Sequence, residues 1–139
     1  MSDKLTRRDI REGVFLLLYQ NEISGTDIDE TAEACKEAFD MNINNEVISV
    51  AKAVADKYAE FDEIIASYSA KREVSRISKI NLTILRLAIY EIIYSKGVPA
   101  KVAVNEAVEL SKKYAQKQDS SFINGVLGNY IKTVDKKDN

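Results

Sequence analysis

The sequence has no histidine, one cysteine (Cys35), one proline and five glycines in 139 residues. Without histidine, neither a Ser-His nor a Cys-His nucleophile pair can be assembled, and zinc sites built on Cys and His are excluded. A lone cysteine excludes disulfides within the chain. Cys35 falls on the apolar stripe Ile28, Ala32, Cys35, Phe39, so it reads as a small buried hydrophobe and not as a reactive thiol. Scarce glycine and proline leave little turn punctuation for an all-β fold. Long apolar runs are missing too. Val14–Tyr19 is too short for a signal-peptide core and follows charge at Arg11. No stretch reaches the roughly 20 apolar residues that span a bilayer. A cytoplasmic protein with no membrane segment is the expectation. The net charge of −2 means that nucleic-acid binding would have to rest on a local basic patch.

Apolar residues make up 45% and charged residues 30% of the chain, which suits a folded protein of one domain or two small halves. Helical periods run through it. Thr6 and Asp9 form a capping-box pattern ahead of Ile10, Val14, Leu17 and Leu18, predicting a helix from about Arg7 to Asn21. Residues 23–27 are a connector, a second helix covers about Asp29 to Phe39, and Met41–Asn45 breaks the pattern and offers an N-cap. Val47, Ala51, Val54, Tyr58, Phe61, Ile65 and Tyr68 then form an unbroken seam, predicting one long amphipathic helix. Lys71–Ser78 is a basic connector with room for a short helical turn.

Ile80–Tyr94 is apolar on nearly every side, so it must be a central helix that others cover. Gly97 and Pro99 mark a helix stop and the next start. Pro99–Tyr114 and Ser120–Val134 have the period to cover the central helix, with Asp119 or Ser120 capping the last one. Gly125 and Gly128 leave two helix positions without side chains, where another helix or a ligand backbone could approach. The expectation is all-α: two groups of three helices, an N-terminal half of about 1–70 and a C-terminal half of about 78–139, joined by the basic linker 71–77.

Several residues invite a functional reading beside a structural one. Lys4, Arg7, Arg8 and Arg11 make the first helix basic, either as a solvated face or as phosphate contacts. Tyr19 and Phe122 fit core packing or base stacking. Phe122 follows the polar stretch 118–121, whose side chains could reach base edges, with Lys113 and Lys117 nearby for phosphates. Arg86 and Glu91 in the central helix, and Asn105 and Glu106 in the next, read as structure, since buried charges must be paired. A catalytic acid pair is the alternative, and it finds no histidine, neighbouring lysine or metal-ligand cluster to work with.

Three blocks at fixed order and spacing, Ile84–Glu91, Val98–Leu110 and Phe122–Leu127, together with Arg7-Arg8, Arg11-Glu12 and Leu18-Tyr19, resemble the signature blocks of the NusB family of bacterial transcription antitermination proteins. The resemblance covers nearly the whole chain. It implies two packed three-helix bundles, no enzymatic activity and no cofactor. It also implies binding of single-stranded boxA RNA together with the ribosomal protein NusE, and read-through by the RNA polymerase antitermination complex, chiefly in ribosomal RNA operons. The Arg-rich N-terminus is then the main RNA contact, and NusE docks near Arg76 and Asn81. Arg72 and Asn81 stand where many family members carry Trp and an acidic residue, and Gly128 stands where an acidic residue is usual. Two alternatives remain at this point: a helical protein–protein module forming a homodimer, or a detached NusB-like domain of the ribosomal RNA methyltransferase type. The chain has no Gly-rich cofactor loop for the latter activity.

Overall fold

The computed structural model describes residues 5–39, 43–70 and 72–138, with the side chains of 39 and 135–138 left aside. Among the described residues there is no strand, and the helices are α1 (Arg7–Ser24), α2 (Ile28–Phe39), α3 (Asn45–Ala55), α4 (Tyr58–Tyr68), α5 (Lys79–Tyr94), α6 (Ala100–Tyr114) and α7 (Lys117–Asp138), with a 3-10 turn at Val74–Arg76. No helix among them is long and apolar enough to cross a membrane.

The chain divides into two compact units, Met1–Asp56 and Lys57–Asn139. In the first, α1 packs on α2 and α3. Val14, Phe15, Leu17 and Leu18 of α1 meet Ala32 and Cys35 of α2 and Val47, Ala51 and Val54 of α3 in a core from which water is excluded. Each buried Leu, Val or Phe contributes roughly 1.5–3 kcal/mol there. The capping box forms as the sequence predicts: the Asp9 amide donates to Thr6 Oγ1 and the Thr6 amide donates to Asp9 Oδ2, both at 3.0 Å. Gly25 closes α1 with φ +74°, a conformation open to glycine at no steric cost. Asn44 starts α3 by accepting the Val47 amide at 2.9 Å. Residues 40–42, within or beside the expected break, lie outside the described residues.

In the second unit α5 packs against α4, α6 and α7. From Thr83 to Ile89 every residue of α5 is buried, as its all-round apolar sequence requires. Gly97 takes φ +88° in the turn before α6.

Two expectations change. The seam from Val47 to Tyr68 is not one helix: α3 stops at Ala55, Lys57 leaves helical geometry at φ −117°, ψ 20°, and α4 starts at Tyr58. The period survives the break because both halves bury the same stripe, but Val47, Ala51 and Val54 serve the first core, and Phe61 and Ile65 the second. The division therefore falls at Asp56–Lys57, ahead of the linker 71–77, and gives the second unit four helices. The last helix also starts earlier than expected. It begins at Lys117, with the Asp119 carboxylate accepting the Gln116 amide at 3.0 Å from inside the first turn. Ser120 instead pairs its hydroxyl with that of buried Ser111 at 2.6 Å.

Candidate nucleic-acid interface

In the first unit the basic residues gather at the start of α1. Lys4 lies outside the described residues. Arg7 and Arg8 are exposed and Arg11 is half-buried. Cations at a helix N-terminus oppose the helix dipole, so helix stability does not ask for them there. Arg7 is engaged by Glu46, at the start of α3: Nη1 reaches Oε2 at 2.7 Å and Nη2 reaches Oε1 at 2.9 Å. The hydrogen bond raises the Arg7 pKa and holds the Glu46 carboxyl below its ordinary value. Both side chains stay open to water, at 70% and 44% exposure, and such pairs are weak and screened by salt. A phosphate can therefore exchange with Glu46. Tyr19, four residues beyond Phe15, lies parallel to its buried ring at 6.1 Å and is half-buried, so part of its apolar surface serves packing.

In the second unit Lys113, Lys117 and Phe122 lie around the α6–α7 junction. Lys113 and Lys117 are exposed, and the Lys113 ammonium sits 5.4 Å from the Tyr114 ring centroid. Phe122 is half-buried, and the guanidinium of Arg72 lies over its ring at 4.2 Å. The polar stretch before Phe122 is partly committed to the fold. Gln118 Nε2 donates to Gln116 Oε1 at 2.7 Å, Asp119 holds the Gln116 amide, and Ser120 holds Ser111. Gly125 and Gly128 face open space, with nothing within 4 Å of where a Cβ would stand. They do not seat a neighbouring helix among the described residues.

The two residues expected at a partner surface separate. Arg76 is exposed on the 3-10 turn. Asn81 is 1% exposed, its backbone N–H donates to Ser78 Oγ at 3.1 Å, and its Oδ1 meets no hydrogen-bond partner among the described residues. Asn81 is thus corrected from a contact residue to an interior one, because the first turn of α5 rotates it inward.

The charges expected to be structural divide in the same way. Arg86 is 7% exposed; its Nε and Nη2 each donate to the Asp62 carboxylate at 2.8 Å, and its guanidinium lies 3.9 Å from the Tyr58 ring centroid. Glu91 is buried as well, whereas Asn105 is exposed and Glu106 half-buried. No cluster of three or more Cys, Asp or Glu able to hold a metal occurs among the described residues. Glu46, Asp62 and the Arg72–Phe122 contact escaped the sequence reading. The Arg7–Glu46 and Arg86–Asp62 pairs span 39 and 24 residues, and charge pattern alone does not say which distant partner a side chain meets.

Similarity to known proteins bears on the fold and the family of the chain. Residues 8–132 match the NusB family model. The transcription antitermination protein NusB of Clostridium acetobutylicum is 41% identical over 135 residues, covering 96% of this chain and all of that protein. Its counterpart in Acetivibrio thermocellus is 42% identical over 128 residues, covering 91% and 88%. Among solved structures, a T. maritima NusB superposes with a TM-score of 0.78 at 28% identity, covering 91% of this chain and 90% of that one. NusB in a crystal structure of the antitermination factors NusB and NusE with dsRNA gives 0.70 at 28% identity, covering 91% and 96%. The chain belongs to the NusB family of transcription antitermination proteins.

Proposed function

We propose that this protein is an RNA-binding antitermination factor. It takes single-stranded boxA RNA together with a NusE-type ribosomal protein and promotes read-through by RNA polymerase, chiefly in ribosomal RNA operons. The observation that carries this reading is the arginine set Arg7, Arg8 and Arg11 at the start of α1, placed against the helix dipole. The similar NusB structure that holds NusE and dsRNA supports RNA, and a NusE-type protein, as partner classes. Arg7 and Arg8 meet phosphates, Phe122 offers a ring to a base, and Lys113 and Lys117 add charge beside it. Arg76 faces the protein partner, and Asn81 acts on that surface only from within, by holding the start of α5.

The test is a titration of labelled boxA-type RNA across a range of salt, with a duplex of the same sequence as a control. The Arg7→Ala, Arg8→Ala variant weakens binding, and the slope of log K against log salt falls by about 1.4, two contacts at about 0.7 each on a single strand. Phe122→Ala costs about 1–3 kcal/mol with little change in slope, because stacking releases no counterions. Unchanged affinity and slope in the arginine variant would reduce the start of α1 to a solvated face. Added NusE-type protein co-elutes on a sizing column at micromolar concentration and tightens RNA binding; separate elution counts against the partner.

A further inference from the structure

Arg72 sits between α4 and the 3-10 turn, tied back to the end of α4. Its amide donates to the Ser69 carbonyl at 3.1 Å, and Ser69 Oγ donates to the Arg72 carbonyl at 2.7 Å. Ser69 itself is 4% exposed. Between them Ala70 adopts φ +58°, a left-handed conformation that residues other than glycine seldom take. Such outliers persist where the surroundings over-determine them, and they gather at functional positions. Here the turn delivers an exposed arginine onto an aromatic ring of another element, 4.2 Å from the Phe122 centroid. Among the described residues no hydrogen bond or ion pair engages that guanidinium.

A guanidinium lying over a ring has one plane covered and one plane open, with N–H donors around its edge. Arginine planes stack nucleobases as aromatic rings do, and the same group pairs with phosphate. The charge needs no carboxylate here because the ring quadrupole attracts it. We propose that Arg72 is a second RNA-stacking residue: held over the Phe122 ring, it presents its outer face to a base and its edge to the adjoining phosphate. Phe122 then acts in part as a positioning residue for the plane of Arg72, while the phosphate contact needs only the charge and outlasts loss of the ring. This rests on the RNA-binding reading above and extends it to a residue in the linker.

The experiment uses the full chain and the same boxA-type RNA, carrying a fluorescent base analogue that is quenched on stacking, placed at successive positions. Arg72→Lys keeps the charge and loses the plane. It retains the parent's salt slope, lowers affinity about fivefold, as loss of a cation–π stack does, and loses quenching at one position. Arg72→Ala lowers affinity further, and its slope falls by about 0.7. Both variants keep the parent's circular dichroism, since the side chain is exposed. If Arg72→Lys binds and quenches as the parent while Arg72→Ala loses only slope, Arg72 is a phosphate contact and the stacking role is overturned. If neither variant differs from the parent while Arg7→Ala, Arg8→Ala weakens binding, this inference fails and the RNA-binding reading stands. If the parent itself binds no RNA, both fall together.

Discussion

Each unit holds an arginine that grips a carboxylate with two hydrogen bonds, end-on through Nη1 and Nη2 at Arg7 and side-on through Nε and Nη2 at Arg86, and the distances are nearly the same. Arg7 meets Glu46 at 2.7 and 2.9 Å, and Arg86 meets Asp62 at 2.8 Å twice. Their surroundings differ. The Arg7 and Glu46 side chains are 70% and 44% exposed, whereas those of Arg86 and Asp62 are 9% and 30% exposed. Water competes with the first pair at every moment and salt screens it, so it can be exchanged for an outside anion. In the second pair Arg86 has given up most of its hydration and Asp62 a large part of it, so losing one partner leaves the other charge poorly solvated and unpaired. The same chemistry thus serves a replaceable contact in one unit and a fixed one in the other, and burial alone decides which.

The strongest way to break this contrast is Arg86→Ala. It lowers unfolding free energy by about 3–5 kcal/mol, read from urea denaturation, while RNA affinity at a temperature where the variant is folded stays at the parent value. Replacing both partners, Arg86→Met with Asp62→Leu, recovers part of that loss because no buried charge remains. A parent-like denaturation curve for Arg86→Ala with lost RNA binding would make Arg86 a site residue.

A smaller effect compares the helix starts. Thr6 caps α1 in water, and Ser78 caps α5 by accepting the amide of Asn81, whose residue is 1% exposed. Each change to alanine costs about 0.5–2 kcal/mol. Ser78→Ala lies at the upper end, because it leaves a buried donor unsatisfied where Thr6→Ala leaves one that water can reach. Equal losses in matched thermal melts would remove burial as the deciding variable.

The smallest effects belong to the exposed pair. Arg7 holds the Glu46 carboxyl below its ordinary value near 4.5. A carboxylate with a depressed folded pKa adds stability above its unfolded pKa and loses it as pH falls through the folded one. Arg7→Ala therefore moves the Glu46 titration, followed by NMR, up toward 4.5, with little change in the melting temperature at neutral pH. Glu46→Gln releases Arg7 and strengthens RNA binding at low salt more than at high salt. Weaker binding by Glu46→Gln would mean that Glu46 positions Arg7 for RNA instead of competing with RNA for it.

The helices and most of their faces were legible in the order of residues. A period of about 3.6 residues can be read locally, and so could the Thr6–Asp9 box, the positive φ at Gly97 and the burial of Ile84, Leu85 and Ile89. That order also marked the arginines of α1 as a candidate site, since like charges clustered in sequence stay clustered on a helix. The rest came from packing. The break at Asp56–Lys57 carries no glycine or proline and leaves the apolar period intact; it follows from the two halves of the seam packing into separate cores. Glu46, Asp62 and Arg72 acquire their roles from partners 39, 24 and 50 residues away. Asn81 turned inward although the family resemblance implied a partner surface there. A side chain's charge and shape are written in the chain, but whether water reaches it, and which distant group it meets, depends on how the helices pack.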